Sequence, residues 1–273
     1  MRRRSAALAL ASVLCSALLL VAQTPSPSPT ANANSAQALA VLQGALVALG
    51  GRSVLSDVTL TGNVQRIAGS DDESGTFTYK ALRTGGNRYD FSFPSGARSE
   101  IRPPVTAGVE GTWSGPEGRS GPIANHDLIA DPGIFPTFVV FGLDGLNPGQ
   151  TFVVTFVGLE TRNGLSVYHL SAYQQFPQMS DAAVMFAQHL TQTELYLDPA
   201  TFLPVAIHFY THPDDNALVD APVELVFSSY RSVGGVQVPF HVQKYVNNSL
   251  VLDLQIQSAV FNSGLSASTF QVQ

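Results

Sequence analysis

The sequence predicts an α+β fold: a large curved antiparallel sheet, an incomplete β-barrel, with helices on its concave side. Three observations predict it. About a dozen short runs alternate apolar and polar residues with period two, the mark of half-buried strands. Only two segments show clear helical spacing, too few to cover both faces of so many strands. A sheet of that size curls or splits into layers, and one curved sheet wrapped around its helices is the economical arrangement.

The chain has 273 residues, 45% of them hydrophobic and only 12% charged, and this supports a sizeable core rather than a disordered chain. Met1–Ala22 opens with Arg2-Arg3-Arg4, runs through an apolar stretch from Ala6 to Val21 and ends in small residues, the build of a secretory signal peptide. Cleavage is expected after Ala22, with Ala17 the alternative, which places the mature protein in the periplasm or outside the cell. The apolar run is shorter than the roughly 20 residues a spanning helix needs. Cys15, the only cysteine, lies in this segment and follows Leu14, not the small residue a lipoprotein signal requires. The mature chain therefore has no thiol for a disulfide, a nucleophile or a metal. Loss of the three arginines leaves 11 basic against 20 acidic residues, net −9, a balance that disfavours nucleic acid as a partner.

Residues 23–35, with Pro25, Pro27, Pro29, Asn32 and Asn34, read as a low-complexity tether, and a single domain follows over 36–273. Leu39, Leu42, Leu46 and Leu49, flanked by Ala38, Val41 and Ala45, form a helical stripe that Gly50-Gly51 ends. Strands follow at Val58–Val64, Phe77–Ala81 and Tyr89–Phe93, then one carrying Arg98, Glu100 and Arg102 on one face, then Val109–Ser114 with the lone Trp113. Between Pro116 and Gly149 the prolines and glycines predict short helical turns and loops, not strands. Strand patterning returns at Phe152–Phe156 and Leu165–Tyr173. Ser180–Leu190 reads as a second helix with Ser180 as N-cap and Asp181 in the first turn. Glu194–Leu197 and Leu203–Tyr210 form a hairpin around Asp198-Pro199-Ala200-Thr201. Three strands, Val223–Arg231, Val236–Tyr245 and Leu250–Phe261, close the chain, turned by Val233-Gly234-Gly235 and Asn247-Asn248, residues that tolerate positive φ.

Two quoted stretches carry a resemblance. Glu194-Leu195-Tyr196-Leu197-Asp198-Pro199-Ala200-Thr201-Phe202-Leu203-Pro204-Val205 and Phe227-Ser228-Ser229-Tyr230-Arg231-Ser232-Val233-Gly234-Gly235-Val236-Gln237-Val238-Pro239-Phe240 resemble the hairpin and following strands of periplasmic lipoprotein-carrier-like proteins of the LolA/LolB type. Ala45–Gly51 leading into Val58–Val64, and Val260-Phe261-Asn262 with Phe270, are also similar to that superfamily, whose members include outer-membrane lipoprotein-sorting-like proteins. The resemblance implies a curved sheet whose concave side holds acyl chains, with lipid or the acyl chain of a lipoprotein as partner and no cofactor. It equally permits an envelope sensor or assembly module that binds a protein partner without lipid.

An acyl cavity needs apolar walls, since sheltering each methylene contributes roughly 0.8 kcal/mol. Phe77, Tyr79, Phe91, Phe93, Trp113, Phe156, Tyr168 and Phe227 either line such a cavity or pack beneath the helices. Phe135–Leu143 and Ser180–Leu190 are the candidate lids. His208 and His212, four apart in an extended run, followed by Asp214 and Asp215, offer a weak zinc pattern that Pro213 interrupts. His126-Asp127 and His169 lack the Gly-x-Ser-x-Gly elbow of a serine hydrolase, and His189 on the second helix reads as solvated. Gly115–Gly121 lacks the lysine of a phosphate loop. A non-enzymatic binder is expected, with no metal.

Overall fold

The computed structural model describes residues 36–51, 55–104, 108–145, 151–175 and 180–271, all within the unit Ala33–Gln273. The expected signal peptide and most of the tether lie outside the described residues.

Helix α1, Ala36–Ala48, buries Ala38, Val41, Leu42, Ala45 and Leu46, one stripe at 3, 4, 7 and 8 residues from its first member. Its end is closed by the Gly51 amide donating to the Leu46 carbonyl at 2.7 Å. Gly50 has φ +117°, and a Cβ there would stand 2.6 Å from the Gly235 carbonyl oxygen, so glycine is required both by the turn and by the strand it meets.

Strands β1 (Asp57–Ala68), β2 (Asp71–Leu82), β3 (Asn87–Phe93), β4 (Gly96–Arg102), β5 (Gly111–Ser114) and β6 (Ser120–Ile123) follow, then helices α2 (Asn125–Ala130) and α3 (Pro136–Leu143). The second half comprises β7 (Thr151–Arg162), β8 (Leu165–Gln175), α4 (Asp181–Thr191), β9 (Thr193–Leu197), β10 (Pro204–Thr211), β11 (Ala221–Val233), β12 (Val236–Val246) and β13 (Ser249–Phe261). All thirteen strands form one sheet in the order β6-β5-β4-β3-β2-β1-β13-β12-β11-β10-β9-β8-β7. Every pairing is antiparallel and the sheet is not closed, which makes β6 and β7 its edges. Two meanders thus run outward and return, joined where β1 pairs with β13.

The register carries the core. Leu60, Tyr79 and Tyr89 are cross-strand neighbours, as are Gly62, Phe77 and Phe91, so the alternating aromatic residues stack on one face. Ring centroids lie 4.8 Å apart for Tyr79 and Tyr89 and 5.8 Å apart for Tyr89 and Phe91. That face continues through Leu254 and Ile256, Val236 and Val242, Leu225 and Phe227, Ile207 and Phe209, Leu195 and Leu197, and Leu170, all in one buried cluster with α1 and α3. Every residue of α3 is buried. The helix fills the concavity, with Phe135 set edge-on to Phe138 at 4.9 Å. The loops behave as their chemistry requires: Asn247 and Asn248 both have positive φ, and Asp198 Oδ1 accepts from the Ala200 and Thr201 amides at 2.9 and 2.7 Å.

One element departs from expectation. Ser120–Ile123, expected as loop, is strand β6, paired with β5. Its four residues contain Gly121 and Pro122, and an edge strand tolerates a proline that lacks the ladder donor. Strand β5 starts at Gly111 rather than Val109, and Ser180 stands at the α4 N-cap position without a side-chain capping bond.

Candidate ligand-binding site

A cavity of about 300 Å³ opens between the ends of β2, β3 and β4, helices α2 and α3, and the strands β7 to β9. That volume lies at the lower end of the range of small-molecule sites. Leu128, Phe138, Val139, Leu143 and Phe152 give it apolar walls, while Asn87, Arg102, Asp131 and Thr191 are among the polar groups that line it. The site follows from the topology. The meander carries β4 away from β7, the helices return the chain across the concave face, and the volume that α3 does not fill remains open beside it.

The polar margin is built around Arg102. Its Nη1 donates to the Asp127 carbonyl at 3.2 Å, and its Nη2 lies 3.5 Å from Glu100 Oε2 and 3.7 Å from Asp131 Oδ2. Asp131 Oδ1 accepts from the Gly133 amide at 2.7 Å, and Lys244 Nζ stands 3.9 Å from Oδ2. Burial pushes the Asp131 carboxyl up, but Arg102, Lys244 and the Gly133 amide together hold it below the usual carboxylate range. Burial opposes the Arg102 charge, and the facing Asp131 and Glu100 more than offset this. The Tyr79 hydroxyl, raised first by burial and then by Asp131, stays neutral and bonds the Ile134 backbone. Two buried atoms here have no hydrogen-bond partner among the described residues: Arg102 Nε, a donor, and Asn87 Oδ1, an acceptor. Such atoms are uncommon in folded proteins and suit a ligand's polar end.

Of the eight aromatic residues singled out in the sequence, Tyr79 lines this cavity. Phe77, Phe91, Phe93 and Phe227 are buried in the core. Phe156 and Tyr168 are half-buried against it, 5.8 Å apart between ring centroids. Trp113 is 40% exposed, on the short strand β5, with its ring against Gly121. The principal wall residues come instead from α2, α3 and the loops, where no alternation marks them. The signal that was present is composition: Phe135–Leu143 is apolar around its whole circumference, which a surface helix is not.

The histidines separate. His208 lies on the outer face, in a polar pocket of about 280 Å³ with Arg162, Tyr196 and Glu224. Burial, and then Arg162, hold its pKa below the usual value. His212 falls just after β10 and turns to His189 and Asp220, at 3.4 Å from Asp220 Oδ1; Asp214 and Asp215 are exposed and not part of this group. His169 bonds Glu160 and Glu194 on the outer face at 2.9 and 2.8 Å, far in sequence from His126, whose ring neighbours His212. Ser228, His241 and Asp253 form a row across β11, β12 and β13, with Ser228 Oγ 3.2 Å from His241 Nδ1 and His241 Nε2 3.0 Å from Asp253. This row stands on a partly exposed strand surface, where Asp253 also accepts from Gln243 Nε2 and Gln255 Nε2, and has the character of a cross-strand polar network. Among the described residues no helix is long and apolar enough to cross a membrane.

No family model matches the sequence, and no curated protein does. Among solved structures, an outer membrane lipoprotein-sorting protein domain from Vibrio parahaemolyticus is similar at TM-score 0.52 and 14% identity, covering 86% of this chain and 96% of that one. A LolA superfamily protein from Nitrosomonas europaea is similar at TM-score 0.51 and 10% identity, covering 86% and 97%. At these identities the likeness is one of fold, and the chain has the open antiparallel half-barrel of LolA-superfamily and lipoprotein-sorting structures.

Proposed function

We propose that the protein is an exported, non-enzymatic binder of a lipid or of an acyl chain carried by another molecule, held in the cavity beside α3. The observation that carries this reading is the pairing of apolar walls with two unpartnered polar atoms, Arg102 Nε and Asn87 Oδ1, at the margin of the same cavity. An acyl chain lies against the apolar walls and an acceptor oxygen at its polar end meets the Arg102 donor, while Asn87 Oδ1 calls for a donor such as a hydroxyl on the ligand. The names of the two similar structures, which refer to lipoprotein sorting and to the LolA superfamily, support the same class of ligand. Native mass spectrometry of the chain purified without detergent, followed by solvent extraction, tests it directly. A bound phospholipid or fatty acid, displaced in a Val139→Trp variant that fills the cavity, is the expected result.

A second reading, a module that binds a protein partner without lipid, is favoured by the β7 edge. Strand β7 has one neighbour in the sheet, and Val157 and Leu159 on it are 50% and 61% exposed. A long edge with apolar side chains is a template for an added strand. A clean apo mass together with no uptake of a fluorescent fatty-acid probe would select this reading over the first.

A further inference from the structure

We propose that His189, His212 and Asp220 bind a divalent transition-metal ion, with zinc the ion that the donor set suits. The three residues come from α4, the end of β10 and the loop before β11, and one donor atom from each lies within 4.8 Å of the others. His189 Nε2 is 3.1 Å from Asp220 Oδ1, and His212 Nδ1 is 3.4 Å from the same oxygen. A tetrahedral zinc with bonds of about 2.0–2.1 Å separates its ligands by about 3.3 Å, so the spacing of His189 Nε2 and Asp220 Oδ1 already matches.

Independent of that spacing, the cluster holds nitrogens with nothing to bind. The His212 side chain is fully buried, and its Nε2 has no hydrogen-bond partner among the described residues. Its Nδ1 bonds the Val219 carbonyl at 3.2 Å, so the ring proton belongs there and Nε2 is left as a buried lone pair. A carbonyl on one ring nitrogen and a metal on the other is the usual arrangement of a histidine ligand. His189 Nε2 is also buried, and although it is close to Asp220 it is set at an angle unsuited to a hydrogen bond. A third imidazole, His126, stands edge-on with its ring centre 5.8 Å from that of His212.

The position of His212 is fixed from behind. Asp127 Oδ1 accepts from the His212 amide at 3.1 Å and from Thr211 Oγ1 at 2.8 Å, so the backbone carrying the ligand is held by α2. Imidazole and carboxylate donors without thiolate select zinc, cobalt, nickel or copper over magnesium and calcium. Three protein ligands leave at least one position for water or a further donor.

The test is titration of the chelator-treated full chain with zinc by calorimetry, and with cobalt(II) followed by visible absorption. One ion per chain is expected, with the intense visible bands of four- or five-coordinate cobalt. His189→Ala and Asp220→Ala, whose side chains are 36% and 38% exposed and whose loss leaves the core intact, are each expected to weaken binding at least about 10-fold, the scale reached even by outer-shell changes. His169→Ala, in the other histidine–carboxylate group, is expected to leave binding unchanged. Absence of stoichiometric uptake, the weak bands of six-coordinate cobalt, or equal affinity in the His189 and Asp220 variants would overturn the proposal.

Discussion

Replacing Asp131 by asparagine tests the polar margin of the cavity most directly. The substitution keeps the side-chain oxygen that accepts from the Gly133 amide at 2.7 Å and removes the charge that faces Arg102 and Lys244 at 3.7 and 3.9 Å. Breaking a buried ion pair by removing one partner costs about 3–5 kcal/mol, because the other charge is left uncompensated. Arg102 retains the Asp127 carbonyl and Glu100, and Lys244 reaches solvent, so the low end applies, about 3 kcal/mol. For a domain of 150–250 residues this lowers Tm by about 6–12 °C. The loss depends on pH with a defined sign. The folded Asp131 pKa lies below the ordinary value of 3.8, so the carboxylate's contribution is fully present above pH 3.8 and disappears as pH falls through the lower folded value. Melting curves followed by circular dichroism should therefore separate at pH 7 and converge below pH 3.8. Adding Arg102→Met should recover most of the deficit, since the larger uncompensated charge is then gone. An Asp131→Asn protein that melts with the wild type at pH 7, or a double variant that loses a further 3 kcal/mol or so, would refute the assignment.

Three other substitutions probe elements that place the site. Asp57 accepts from Ser56 Oγ at 2.9 Å, from the Ser263 amide and hydroxyl at 2.8 Å each and from the Gly264 amide at 3.2 Å, tying the start of β1 to the segment after β13. Asp57→Ala should cost about 2–3 kcal/mol by urea unfolding, with the deficit shrinking as pH falls below 3.8, because the native hydrogen bonds outweigh burial and hold this carboxyl down. Gly133 has φ +75° and leaves its Cβ position 2.6 Å from the Tyr79 hydroxyl, so Gly133→Ala should destabilise by about 1–3 kcal/mol, and a neutral thermal shift would contradict this. Thr191 Oγ1 accepts from the Gln174 amide at 3.0 Å and donates to the Ala187 carbonyl at 2.7 Å. Thr191→Val should cost about 1–3 kcal/mol and speed hydrogen exchange at the Gln174 amide, the buried donor it orphans.

Strands were legible because one face of each is buried and alternation records that fact directly. Leu250–Phe261 against Ser249–Phe261, and Val236–Tyr245 against Val236–Val246, differ by a residue at most at either end. Helix α1 was legible for the equivalent reason, one stripe against one sheet. Strand β6 was not, because at an edge its four residues bury only Ile123 and carry a glycine and a proline. The candidate site was less legible still. Strand alternation identifies which residues share a face, and Phe77, Phe91 and Phe227 do share the buried one, but it does not say where helices leave that face uncovered. The cavity lies where α3 stops short of β4 and β9, a property of helix length and docking. The histidine cluster eluded spacing rules because His189, His212 and Asp220 are brought together by tertiary contact between α4, β10 and a loop, and local patterning within any one of them is silent.

Helices α2 and α4 connect the two sites. Leu128, Ile129 and Ala130 of α2 and Thr191 of α4 line the cavity, while His126 of α2 packs edge-on and His189 of α4 packs tilted against His212, with His189 and His212 ring centres 5.5 Å apart. Residues of the same two short helices therefore line the cavity and surround the candidate metal site. Helix α4 is also largely exposed, with Met185 71% exposed and only Ala187, Leu190 and Thr191 buried. An ion held by His189 fixes α4 to the end of β10 and opposes its outward movement. By linkage, whatever stabilises the closed wall in the presence of the ion is returned as tighter metal binding when the cavity is filled. Zinc should accordingly slow release of a fluorescent fatty-acid probe from the wild-type chain, with a coupling of about 1–3 kcal/mol setting the scale at roughly 5–150-fold. The effect should vanish in His189→Ala, which keeps the cavity walls. Deletion of residues 180–190 should raise release whether or not zinc is present. Equal release rates with and without zinc, in a chain shown to bind both zinc and probe, would mean that α4 does not move when the cavity empties, and the route for the ligand would then have to lie along α3 and the open ends of β2 to β4.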